Sequence, residues 1–196
     1  MQRITRLVGI AVLAFSPAIA SAQDATPKTL SVGVSGGASI PMGDLRKYGD
    51  LNTGYNVTAH LLLSPASIPR LGFRADVSYD SWKPKGVSGV KNAFSQRNLG
   101  VYANAIFKSS AAMSIKPYVL GGVGFNNAKT SGTGFQTSAD NNVGMQGGGG
   151  LEFQLSGFTT FFEAKLVHSF DGKKFVNTST ESSSTNWVPV TFGIRF

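Results

Sequence analysis

Side-chain polarity alternates residue by residue in one segment after another of this chain, and that period admits few folds. In Trp187–Phe196, Val188, Val190, Phe192, Ile194 and Phe196 share one face, while Trp187, Pro189, Thr191, Gly193 and Arg195 share the other. Leu71–Asp80 repeats the pattern, setting Leu71, Phe73, Ala75, Val77 and Tyr79 against Gly72, Arg74, Asp76, Ser78 and Asp80. A strand sends successive side chains to opposite faces. A helix would need apolar residues at i, i+3 and i+4, and these segments do not supply them. Six further segments behave alike: Ser31–Met42, Gly54–Leu63, Gln96–Phe107, Ile115–Phe125, Val143–Leu155 and Phe158–Phe170. The pattern predicts eight strands, each long enough for a tilted strand to cross a bilayer.

The connections alternate in length. Those at about 43–53, 80–95, 126–142 and 171–186 are long, and those at about 64–70, 108–114 and 156–157 are short. Long loops at one end and short turns at the other are the pattern of an up-and-down barrel spanning an outer membrane. A soluble barrel has no reason for this asymmetry. Periodicity does not say which face points out, but composition does. The polar faces are mostly Gly, Ser, Thr and Asn, with charges of both signs, and only 14% of all residues are charged. A water-facing exterior would be rich in Lys and Glu. Small residues with a few matched charges suit a narrow interior. The fold expected is therefore all-β, an eight-stranded antiparallel up-and-down transmembrane β-barrel over residues 30–196, its apolar face toward lipid.

The beginning of the chain fits export. Arg3 and Arg6 precede the apolar run Leu7–Phe15, and Ala20-Ser21-Ala22 forms a small-x-small cleavage site. Residues 1–22 read as a signal peptide, too short in its apolar run for a spanning helix, and residues 23–29 as a short lead-in. Removal of the two arginines lowers the net charge from +8 to +6. The absence of cysteine excludes disulfides, thiolate metal sites and a lipidated N-terminal cysteine.

On this map the aromatics fall at two levels. Tyr55, Tyr79, Trp82, Phe125, Phe170 and Trp187 lie toward the loop ends of their strands; Phe73, Phe107, Phe153, Phe158 and Phe196 lie toward the turn ends. The two sets are expected to form the interfacial girdles of the barrel. Arg74, Asp76, Glu152, Glu163, Lys165 and Arg195 fall on inward faces. Eight strands leave an interior that side chains just fill, and buried charges must pair. A lumen ion-pair network that plugs the barrel is expected. The carboxylates as a general acid–base set is the reading it displaces. His60 is expected inward and hydrogen-bonded, and His168 outward at the lipid or interface.

Several stretches bear a family resemblance. Val32–Ala38 with Ile40–Leu45, Gly72–Tyr79, and Lys116–Phe125 resemble the first, third and fifth strands of the small eight-stranded outer-membrane barrels that include OmpA, OmpX and the opacity-type surface proteins. Val190–Phe196, with Phe192, Gly193, Ile194 and the terminal Phe196, resembles the C-terminal signal read by the barrel-assembly machinery. The resemblance implies a Gram-negative-type outer membrane, with its lipid and lipopolysaccharide as surroundings and the assembly machinery as a partner. It does not imply one activity, since members include anchors, adhesins, small-solute pores and a few lipid-modifying enzymes.

Motifs for chemistry give little. Gly33-Val34-Ser35-Gly36-Gly37 matches G-x-S-x-G, but mid-strand rather than at a strand–turn–helix elbow. Gly121–Gly124 and Gly147–Gly150 precede no helix that could cradle a phosphate. They are read as relief of crowding where the barrel closes. Barrel lipid A deacylases carry His and Ser on one outward face, two residues apart. Here His168 and Ser169 are adjacent, so they face opposite sides, and position 170 is Phe. No catalytic residue, metal ligand or cofactor motif is assigned, and no nucleic-acid module is present. The long loops hold the remaining candidates: loop two carries Trp82, Lys83, Lys85 and Lys91, a basic set with one aromatic that reads first as a solvated loop and second as a contact for anionic lipopolysaccharide phosphates. The expectation is a monomeric, non-enzymatic barrel that anchors or recognises through four external loops. The alternatives are a channel for small solutes or apolar ligands, and a lipid A-modifying enzyme.

Overall fold

The structure, a computed structural model, describes residues 29–47, 51–84, 94–109, 115–132, 138–170, 174–176, 179–181 and 184–196. The expected signal peptide, Lys85 and Lys91 lie outside the described residues. Eight long strands form the body: β1 (Leu30–Met42), β2 (Gly54–Leu63), β3 (Leu71–Trp82), β4 (Phe94–Lys108), β5 (Ile115–Gly132), β6 (Ser138–Gln154), β7 (Thr159–Phe170) and β10 (Ser184–Arg195). A short helix α1 (Asp44–Lys47) follows β1, and a small hairpin of β8 (Lys174–Val176) and β9 (Ser179–Glu181) lies between β7 and β10.

Every strand pairs antiparallel with its sequence neighbour in the body, and β1 also pairs with β10, so the sheet closes on itself. The seam runs from Gly33 opposite Arg195 to Met42 opposite Asn186. Beyond it, Val32 and Phe196 exchange backbone hydrogen bonds of 3.1 and 2.9 Å. Closure leaves no unpaired edge, which is what a β structure in hydrocarbon requires.

The alternation read from the sequence is oriented as expected. Val34, Val57, Phe73, Val77, Val101, Val119 and Phe192 are exposed on the outer wall, while Arg74, Asp76, Ser78, Asn104, Glu163 and Lys165 are buried inside. Apolar residues outside and charges inside invert the arrangement of a water-soluble domain, and only acyl chains would cover such a wall.

The third long connection is shorter than expected. Instead of a loop over 126–142, β5 and β6 continue paired to Thr130 opposite Ser138. Beyond the hydrocarbon neither face of a hairpin must be apolar, so the alternation fades while the backbone ladder persists. The connection over 171–186 likewise contains the β8–β9 hairpin. The short turn over 64–70 is as expected, the one over 108–114 lies largely outside the described residues, and Gly157, at φ 92°, makes the tight one between β6 and β7, where Leu155 N–H donates to Phe158 C=O at 2.9 Å.

Candidate functional site

The interior is filled in tiers, and the strand period explains each. On β3, Arg74 and Asp76 are two residues apart and both point inward, as do Glu163 and Lys165 on β7. In the order of the barrel, β3 and β7 stand four strands apart on either side, directly across the bore. The Arg74 guanidinium reaches over it: Nη1 donates to Glu163 Oε2 at 2.7 Å and Nη2 to Glu163 Oε1 at 2.9 Å. This is the bidentate form of the pair. On its own strand Arg74 meets Asp76, Nε to Oδ1 at 2.7 Å and Nη2 to Oδ2 at 2.9 Å. Lys165 Nζ lies 3.4 Å from both Asp76 Oδ2 and Glu163 Oε1. Asp76 is wholly buried. Two cations and two carboxylates thus form one closed set.

Neutral groups complete it. Tyr118 Oη donates to Glu163 Oε2 at 2.7 Å, and Gln146 Nε2 to Asp76 Oδ2 at 3.2 Å and Asn104 Oδ1 at 2.6 Å. Tyr118 can lean over β6 to reach Glu163 on β7 because the residue opposite it in register is Gly150. A Cβ there would stand 2.5 Å from the tyrosine oxygen. Gly150 and Gly144 of β6 therefore make room for lumen side chains.

Glu152 and Arg195 do not join this set. They form a second cluster nearer the turns, where Arg195 Nη2 lies 2.7 Å from Glu152 Oε1 and Lys108 Nζ 3.2 Å from the same oxygen. The single expected network is two, with no ion pair joining them among the described residues. Toward the loops a fourth carboxylate, Asp80, accepts from Ser39 Oγ at 2.8 Å and Asn56 Nδ2 at 2.9 Å. Lys108, Tyr118 and Asp80 are not among the residues expected in the network, although each stands an even number of residues from an inward neighbour on its own strand.

The loop-end mouth is corked by apolar side chains. Trp82 and Trp187 meet edge to face, 5.6 Å between ring centroids, and Leu45 of α1 and Leu51 are buried with them. Trp82 Nε1 donates to Ser39 C=O at 3.1 Å. These two tryptophans are not girdle residues. Both stand on the inward parity of their strands, and position on the strand overrules the usual interfacial preference of the indole. The remaining loop-end aromatics, Tyr55, Tyr79, Phe125 and Phe170, lie on the outer wall, with Tyr55 and Tyr79 6.1 Å apart. At the turn ends Phe73, Phe107, Phe153, Phe158 and Phe196 also lie outside, Phe158 and Phe196 6.2 Å apart.

His60 points inward but is not hydrogen-bonded through Nε2. Its ring packs edge-on against Phe161 at 5.2 Å, in the space that Gly33 leaves open. His168 is on the outer wall, its Nδ1 2.7 Å from Asn186 Oδ1, whereas Ser169 is buried inside. The two residues are on opposite sides of the wall, and no nucleophile–base pair is assembled between them. At the C-terminal end Phe192 and Ile194 face outward, and Gly193 faces inward, where the Phe161 ring occupies the place of a side chain.

Comparison with known proteins agrees with this geometry. The family model described as outer membrane protein beta-barrel domain matches residues 9–196. No curated protein matches the chain. Among solved structures, Neisserial surface protein A aligns with a TM-score of 0.56 at 18% identity, over 86% of this chain and 96% of that one. A major outer membrane protein from Thermus thermophilus aligns with a TM-score of 0.56 at 12% identity, over 86% and 99% of the two chains. At such identities the likeness is one of fold.

Proposed function

The chain belongs to the outer membrane protein β-barrel domain family and resides in the outer membrane, and from that premise we propose that it is a non-enzymatic, monomeric anchor acting at the cell surface through its four longer connections. The observation that carries this reading is the Arg74–Glu163 pair, which spans the bore with two hydrogen bonds. Matched charges across the lumen and a mouth corked by Trp82, Trp187, Leu45 and Leu51 support a barrel closed to water. What can vary without opening the barrel is the set of connections at the corked end. The opposite sidedness of His168 and Ser169 argues against a lipid-modifying centre.

The surrounding partners follow from the same reading: outer-membrane lipid and lipopolysaccharide against the wall, and the barrel-assembly machinery for the terminal Phe192–Phe196 segment, after removal of the signal peptide. Two measurements test it. Protease added to whole cells is expected to cut only within the longer connections, and purified protein in a planar bilayer is expected to pass almost no current. Regular stepwise conductance would overturn the closed-anchor reading in favour of a channel. A change in lipid A mass on expression would overturn the non-enzymatic part.

A further inference from the structure

The outward ladder between β4 and β5 changes character toward the loops. Going outward, the facing pairs are Val101 with Phe125, Leu99 with Asn127, and Arg97 with Lys129. Phe125 is 69% exposed, the highest value among the large apolar side chains. Two residues of a strand rise about 7 Å, so the Arg97–Lys129 rung stands roughly 14 Å along the strands beyond Val101–Phe125. With strands tilted about 35–45°, that is about 10 Å along the barrel axis beyond the apolar wall at Phe125, the height expected of lipid headgroups.

Two cations directly opposite one another across an antiparallel pair repel. Both are exposed, and neither forms an ion pair among the described residues. On the rung beneath, the neighbours are amides, Asn127 Nδ2 donating to Asn141 Oδ1 at 2.7 Å. Lys129 faces Ala139 on β6, and Asp140 alternates to the other face. On the far side Arg97 faces Ser81 of β3, and exposed Lys83 follows two residues on. Among the described residues, no other barrel strand carries an outward cation at this level. The arrangement of acyl-chain wall below and unneutralised cations above matches an anionic amphiphile.

We propose that the Arg97–Lys129 rung, flanked by Lys83, binds the phosphates of outer-leaflet lipid A, whose acyl chains lie along Val101, Val123 and Phe125. A guanidinium takes a phosphate through two parallel hydrogen bonds, and an ammonium adds a point charge. Three cations at the ends of three adjacent strands, each strand about 5 Å from the next, span more than one phosphate. That favours the bisphosphorylated lipid over a singly charged phospholipid. The proposal rests on the reading that the longer connections face outside the cell, and it centres the lipid partner on the wall, with Lys83 the one cation it takes from loop two.

The test uses the folded barrel in detergent micelles, titrated separately with bisphosphorylated lipid A, dephosphorylated lipid A and phosphatidylglycerol, with binding read by native mass spectrometry. Lipid A is expected to bind, and the R97Q/K129Q double variant to bind it about 10-fold or more weakly, as loss of two charges near an anionic surface implies. R97K/K129R is expected to keep most of the affinity, and K116Q, at the turn end, to match the parent. An unheated-gel shift confirms that each variant is folded. Equal affinity of R97Q/K129Q and the parent would overturn the site, as would equal binding of dephosphorylated lipid A. Phosphatidylglycerol binding as tightly as lipid A would overturn the choice of lipid. No cell is present in this assay, so its failure is distinct from a failure of the surface reading, which whole-cell proteolysis reads.

Discussion

The middle of the lumen and its loop-end mouth solve the same problem with opposite chemistry. In the middle, Arg74, Asp76, Glu163 and Lys165 are buried charges that satisfy one another across the bore. At the mouth, Trp82, Trp187, Leu45 and Leu51 exclude water with apolar surface, and the one carboxylate beneath them, Asp80, is held by neutral donors. The difference shows what an eight-stranded interior demands. It need not be polar; it must be filled and satisfied. Charges in the middle serve only as a set, because each removed from its partner is stranded away from water. Apolar groups at the mouth act singly, each by its own area.

The sharpest way to break this comparison is to remove one member of the central set. Arg74→Ala leaves Glu163 and Asp76 without their shared partner and is expected to destabilise the barrel by about 3–5 kcal/mol, read as a fall in the urea midpoint in lipid vesicles. The double variant Arg74→Met/Glu163→Met should cost less than the single change, since the bore-spanning pair is then removed whole; a larger cost for the double variant would contradict the account. Next in size is Trp82→Ala at the mouth. It should cost about 3 kcal/mol, near the lower end for large aromatic truncations, and should speed protease cleavage near Leu51 relative to the parent, with the central set intact. The smallest effect is expected for Asp80→Asn. The amide retains an acceptor for Ser39 and Asn56, so the cost should be about 1 kcal/mol. A cost matching that of Arg74→Ala would mean that Asp80 belongs electrically to the central set and that the two regions are not separate.

Much of this is legible without coordinates. Strand count, closure and sidedness follow from period-two alternation, because lipid outside and a crowded axis inside impose opposite chemistries on neighbouring positions. The inward placement of Arg74, Asp76, Glu163 and Lys165 is readable from parity alone. Their separation from Glu152 and Arg195 is not. It depends on the stagger between strands, which sets the height of each residue along the axis and leaves no trace within a single strand. The tryptophans teach a narrower lesson. Side-chain type places Trp82 and Trp187 at the membrane interface, although the alternation of their own strands already puts them inside. The extension of β5 and β6 past residue 126 leaves no periodic signal for a physical reason: once both faces are outside the bilayer, nothing forces their polarity to differ.

The seam between β1 and β10 has a kinetic consequence. Seven of the eight ladders join barrel strands that succeed one another along the chain, but this one joins Gly33 to Arg195, about 160 residues apart. Bringing such distant segments together is the entropically hardest step available to the chain. Until it happens every intermediate carries two open rims of unpaired amides and carbonyls, which hydrocarbon does not tolerate. Insertion into the bilayer and circularisation must therefore be concerted or guided, and a substitution that weakens the last rungs near Phe196 should slow the arrival of the finished hoop more than it loosens the hoop once formed.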